Sequence, residues 1–131
     1  MSRRKGRVLA FQGLFSWDIG KVPLEDVISF SWVDTKDEEA QMFAGLVIQG
    51  AVDHMDEIDK KIASHLTSSW TLERINKVSL AILRMGVYEL TYQNGTDKRI
   101  IIDEAVEIAK KYGEDGSFRF INAVLDNISK E

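Results

Sequence analysis

Apolar side chains recur at steps of three and four from one end of this chain to the other. Val8, Phe11, Phe15 and Ile19 form one such series, and Phe43, Val47, Ala51, Met55, Ile58, Ile62 and Leu66 a second. Ile75, Val78, Ile82 and Met85, then Ile101, Ala105, Ile108 and Tyr112, then Phe118, Ile121, Leu125 and Ile128 continue the pattern. Such spacing gathers side chains on one face of a helix of 3.6 residues per turn. The chain contains a single proline, so the strongest helix breaker is almost absent. The fold class that follows is all-α.

The spacing predicts a first helix over about 3–19, ended by Gly20, and a short second helix over about 24–32 behind Pro23. Asp34 or Thr35 can cap an acidic first turn of Asp37, Glu38 and Glu39. The apolar run that follows is long for one globular helix, so a break is expected near His54 to Asp56. Asp56 with Lys60 and Glu57 with Lys61 are spaced to pair on a solvated face. Thr71 is the expected cap of the next helix, which carries a second stripe of Leu83, Val87 and Leu90. Two stripes mean burial around most of the circumference, so this is the expected central helix, stopped by Asn94-Gly95. Ile100-Ile101-Ile102 favours a strand by propensity but has no strand to pair with, so it should open a helix that ends at Lys110, Lys111 and Gly113. Asp115 or Ser117 begins the last. The sum is about seven helices with short connections.

A chain of 131 residues suits one domain, 1–131, large enough to bury a core without staples. With no cysteine there is no disulfide, thiol nucleophile or thiolate metal site. The longest stretch without a strongly polar side chain, Met42 to Ile48, is far short of a membrane span, so no membrane association is expected, and the lack of cysteine suits a reducing compartment, in keeping with a cytoplasmic expectation.

Enzymatic chemistry finds little footing. His54 and His65 are eleven positions apart, too far to share an ion alone, and no phosphate-binding glycine loop or nucleophile elbow occurs. Neither a metal nor another cofactor is expected. Asp103, Glu104 and Glu107 are densely placed, but negative charge is favoured near a helix start and Glu107 can pair with Lys111. Glu89 falls on the main stripe of the central helix. A carboxylate there needs a partner, first within the molecule and second on another one.

Charge is distributed unevenly. Residues 1–21 carry Arg3, Arg4, Lys5, Arg7 and Lys21 against Asp18 alone, while the whole chain has a net charge of −4. A cationic cluster on an acidic body points to a polyanion, because guanidinium groups grip phosphate in pairs and the released counterions drive association. Gly6 weakens the helix locally, so this segment is expected to fray into an arm. Phe120 lies off its helix's apolar face and can stack on a base. Phe11 and Phe118 read as core, and Trp17, Trp32 and Trp70 stay open between core and surface.

Four strings then coincide in order and spacing. The basic run leads into Ala10-Phe11-Gln12-Gly13-Leu14-Phe15-Ser16-Trp17, followed by Leu83-Arg84 and Tyr88-Glu89-Leu90. Asp103-Glu104-Ala105-Val106-Glu107-Ile108-Ala109-Lys110-Lys111-Tyr112-Gly113 and Phe120-Ile121-Asn122-Ala123-Val124-Leu125-Asp126 complete the set. Together they resemble the bacterial transcription antitermination factor NusB family over nearly the whole chain. The resemblance implies two small helical bundles around a shared core and no enzymatic activity. It implies binding of the single-stranded boxA element of nascent ribosomal RNA, with ribosomal protein NusE, inside an RNA polymerase antitermination complex. On matching positions Arg3, Arg4, Lys5 and Arg7 would meet RNA, with Gln12 and Phe120 nearby, and Phe15 and Glu73 would face the partner. Phe15 stands where the family often has tyrosine, Asp103 for a common asparagine and Ala123 for a common glycine. The rival expectation is a helical protein-interaction or homodimeric scaffold without RNA binding.

Overall fold

The computed structural model describes residues 2–34, 36–67 and 69–131. Thr35, one of two caps expected before the third helix, lies outside them. The described residues form seven α-helices: α1 (Ser2–Asp18), α2 (Leu24–Val27), α3 (Glu38–Asp53), α4 (Met55–Ser64), α5 (Lys77–Tyr92), α6 (Lys98–Tyr112) and α7 (Ser117–Ser129). A 3-10 turn, Leu72–Arg74, precedes α5. No described helix is long and apolar enough to cross a membrane.

The expected helices are present, and several ends move for identifiable reasons. Asp37, rather than Asp34, caps α3 by accepting from the Ala40 amide. The second helix is a single turn that gives way to turns by Ser29, and Phe30 there takes a positive φ of 56°. Helix α5 starts later than Thr71 suggests. Asn76 is its cap, accepting from the Val78 and Ser79 amides, and Ile75 before it is extended yet buried. The break between α3 and α4 falls at His54, and Ile100 to Ile102 are helical behind the Asp97 cap. The last helix starts at Ser117 behind Gly116, without a side-chain cap. The Asp56–Lys60 and Glu57–Lys61 pairs do not form. Lys61 bonds to Glu131, while Glu57 takes the hydroxyl of Tyr92.

Packing follows from the stripes. One bundle is α1 to α3 and the other α5 to α7; α5 touches α1, α3, α4, α6 and α7, so both halves share it. It buries most of its sixteen residues, and one apolar core runs through the molecule from Ala10 to Ile128. Two arginine–carboxylate clusters pin α5 in place. Arg84 donates to both oxygens of Asp59 at 2.9 Å and to Asp18 at 3.1 Å, joining α5 to α4 and to the end of α1. Arg7 and Glu89 form the other, near the start of α1.

Candidate nucleic-acid interface

The basic run forms the first two turns of α1, a continuous helix from Ser2 rather than a frayed arm. Gly6 is buried where α1 crosses α3; a Cβ there would stand 2.7 Å from a ring carbon of Phe43 and 3.0 Å from the Ala40 carbonyl oxygen. The residue that lowers local helix propensity is thus the one that lets the two helices touch.

Helical spacing sends the four cations in different directions. Arg3 is exposed; its Nη1 donates to Thr96 at 3.0 Å and its guanidinium lies 5.2 Å from the Phe43 ring centre. Arg4 forks onto Glu104 of α6, with Nε and Nη2 within 3.1–3.2 Å of the carboxylate. Those charges raise the Arg4 pKa above its ordinary value, chiefly through the hydrogen bond to Glu104. Lys5 sits 3.9 Å from Asp37 at the start of α3. Both pairs keep the cation largely solvated, so water screens them and either can be exchanged at little cost.

Arg7 corrects the sequence expectation. It is 2% exposed and donates from Nε and Nη2 to Glu89, itself 1% exposed, at 2.8–3.1 Å, with Glu104 3.6 Å from Nη1. A guanidinium so enclosed and paired has no face to offer a phosphate. It is the internal partner that Glu89 requires, so of the two readings of Glu89 the intramolecular one holds. Three of the four cations expected to bind RNA thus have a carboxylate partner in the same molecule, and Arg3 alone of the four has none among the described residues.

Between α1 and α6 lies a groove of about 430 Å³. Val8, Leu9 and Ile108 give it apolar walls, and Arg4, Lys5, Lys111, Glu104 and Glu107 charge its rim. Glu107 pairs with Lys110 at 3.5 Å, not with Lys111 as its spacing suggested. Tyr112 lines this groove and also an adjoining cleft with Phe11, Gln12, Phe15 and Trp32, so Gln12 and Phe15 open onto the same side of α1. The described groups form no cluster of three or more residues able to hold a metal ion.

Two expected residues stand elsewhere. Phe120, half-buried on α7, lines a separate depression with His65, Leu66, Thr67 and Trp70. Glu73 is exposed in the 3-10 turn, and its own backbone amide and the Thr71 hydroxyl hold its carboxyl below the usual range. Sequence reasoning missed Glu104 as the partner of Arg4, since the two are 100 positions apart and nothing local links them. It took Lys111 only as part of a helix end, and it placed Tyr112 on the apolar stripe of α6 without saying which helix that stripe meets.

With this geometry in view, comparison with known proteins is informative. A model of the NusB family matches residues 4–130. "Transcription antitermination protein NusB" of Treponema denticola is 43% identical over 134 residues, covering 100% of this chain and 98% of that protein. The protein of the same name from Borreliella burgdorferi is 44% identical over 130 residues, covering 95% of this chain and 91% of that protein. Among solved structures, that of T. maritima NusB superposes with a TM-score of 0.88 at 35% identity, covering 98% of this chain and 91% of that one. A structure of antitermination factors NusB and NusE in complex with dsRNA gives a TM-score of 0.83 at 29% identity, covering 98% and 96%.

Proposed function

The chain belongs to the NusB family, and we propose that it is an RNA-binding transcription antitermination factor that recognises the boxA element of nascent ribosomal RNA together with ribosomal protein NusE. In this reading it turns nothing over. It holds RNA and a partner while RNA polymerase passes terminators, in the cytoplasm where that RNA is made. One observation carries the reading: Arg3, Arg4 and Lys5 stand exposed on the first turns of α1, beside a groove with apolar walls that continues toward Gln12. Cations for the backbone next to apolar and amide groups for an unstacked base are what single-stranded RNA recognition requires.

Arg7 has a different task here, which is to hold α1 on α5 so that its neighbours are presented in register. Phe15 opens beside Gln12, so a partner seated on Phe15 abuts the RNA. Glu73, exposed in the 3-10 turn, would offer its carboxylate to a cation of the partner. Phe120 would meet a base in its own depression.

The reading is tested by titrating a boxA-like single strand, a scrambled strand and a duplex, each with and without NusE. The boxA-like strand should bind most tightly, and NusE should strengthen it. An Arg3→Ala/Arg4→Ala/Lys5→Ala variant should bind it at least about tenfold more weakly, with the log–log salt slope flattened by about 2, three cations at roughly 0.7 each. Equal affinities for wild type and variant would defeat the reading, as would a preference for duplex or a salt-insensitive dimer that ignores RNA.

A further inference from the structure

Helix α3 presents a face that the rest of the described chain leaves open. Met42 is 71% exposed and Leu46, one turn on, 62%, and Gln49 follows at the same spacing. Side chains three and four apart share a helix face, so these form one strip. Gly45 lies between the two apolar side chains. A glycine inside a helix weakens it, and each of the other glycines inside a helix has its reason in the fold. An added Cβ would collide with Phe43 at Gly6, with Ile48 at Gly13, with Tyr88 at Gly50 and with Leu125 at Gly86. At Gly45 it would meet only Phe30, at an ordinary contact distance of 3.7 Å. The fold has room for a side chain there and leaves it out. Charge frames the strip. Glu38 and Glu39 stand exposed at its start and Asp53 at its end, and none of the three forms an ion pair among the described residues. Asp53 sits at the negative pole of the α3 dipole, in a last turn without a basic residue, where the Gln49 amide donates to it at 3.1 Å.

We propose that this face of α3 docks an amphipathic helix of another protein. Its apolar stripe seats on Met42 and Leu46, its backbone closes over Gly45, and its flanking lysines or arginines meet Glu38, Glu39 and Asp53. How near two helices come is set by the side chains at their crossing, and a glycine permits the closest approach, as Gly6 does between α1 and α3. Methionine, unbranched and polarisable, adapts to the surface laid on it. The carboxylates at both ends repel a nucleic acid and suit a cationic partner. An exposed apolar strip with acidic ends is the complement of a basic amphipathic helix, read at steps of three and four. This surface goes beyond the RNA-binding reading and uses none of the residues assigned to it.

The probe is a synthetic peptide of about 18 residues, roughly five helical turns, with leucines at helical spacing and lysines on the other face. One control scrambles the same composition so that the stripe is lost, and a second replaces lysine by glutamate. The full-length wild type should bind the amphipathic peptide at least about tenfold more tightly than either control. Gly45→Leu, which fills the notch, and Met42→Ser/Leu46→Ser should each lose that preference, while binding boxA-like RNA and NusE as wild type does. Gly45→Ala should raise the thermal midpoint by about 4 °C, because the helix gains and no neighbour is displaced. A lowered midpoint would make the glycine a packing requirement of the fold and overturn the proposal. Sedimentation of wild type beside Met42→Ser/Leu46→Ser tests for a second copy of this chain, and a dimer that the substitutions dissociate assigns the face to self-association instead. Loss of NusE binding by the same variant assigns it to NusE, which equally overturns the proposal. So does wild type that fails to separate the amphipathic peptide from its controls.

Discussion

Arg7 and Glu89 are both almost wholly enclosed, so their energetics differ in kind from those of the exposed pairs around them. Removing one member leaves a charge stranded in the core, so Glu89→Ala should lower stability by about 3–5 kcal/mol in urea unfolding. Arg7→Met/Glu89→Leu, which removes both charges and keeps volume, should cost far less than either truncation. Should the double variant prove as unstable as Glu89→Ala, the pair is more than a matched burial. Glu104 presents the opposite case. It holds Arg4 by the fork geometry that guanidinium also uses on phosphate, so RNA has to displace it. Glu104→Gln should therefore raise RNA affinity about threefold, more than Glu107→Gln does by removing the same charge from the same groove. Equal effects from the two would mean that only overall charge matters. The sequence identified Glu89 as a residue in need of a partner, because an apolar stripe declares burial. It could not say which cation answers, because 82 positions separate the two.

Among the elements, helix caps and crossings divide what is local from what is not. A cap is a short-range device, yet two were misplaced by a few residues because several side chains nearby could serve. Asn76→Ala should cost about 1 kcal/mol, whereas Thr71→Ala, outside α5, should stay within about 0.5 kcal/mol. The reverse order would return the start of α5 to Thr71. Gly6 sets propensity against packing. On propensity alone, Gly6→Ala should stabilise α1 by about 1 kcal/mol. The added carbon, 2.7 Å from Phe43 and 3.0 Å from the Ala40 carbonyl, forces α1 and α3 apart, and overpacking of that kind costs about 1–3 kcal/mol. The packing cost wins, so the variant should unfold at lower urea than wild type. The helical state of Ile100 to Ile102 makes the converse point. A β-branched run became helix because no strand was present to pair with it among the described residues, and Ile101 and Ile102 found burial from one helical face.

For the whole molecule, the shared helix α5 and the two arginine clusters at opposite ends of α1 tie the halves together, and the chain should therefore unfold as one cooperative unit. Urea unfolding followed by tryptophan fluorescence, which samples Trp17 and Trp32 in the first bundle and Trp70 beside α7, should coincide with unfolding followed by far-ultraviolet circular dichroism. Two separated transitions would divide the chain into two independently folding pieces. Charge also acts at this scale. The acidic body repels RNA at distance, and in the proposed reading the exposed cations of α1 attract it nearby, so binding should weaken steeply as salt rises.

By itself the sequence determined what repeats at short range: where helices run, which faces they bury, that α5 is central, and the four strings that point to the NusB family. Hydrophobic periodicity is a property of neighbours three and four apart, and it survives reading without coordinates. Tertiary structure alone decided which cations stay in water. Whether an arginine meets a carboxylate depends on helices brought together from opposite ends of the chain, and that meeting turned Arg7 from a candidate grip into a structural tie.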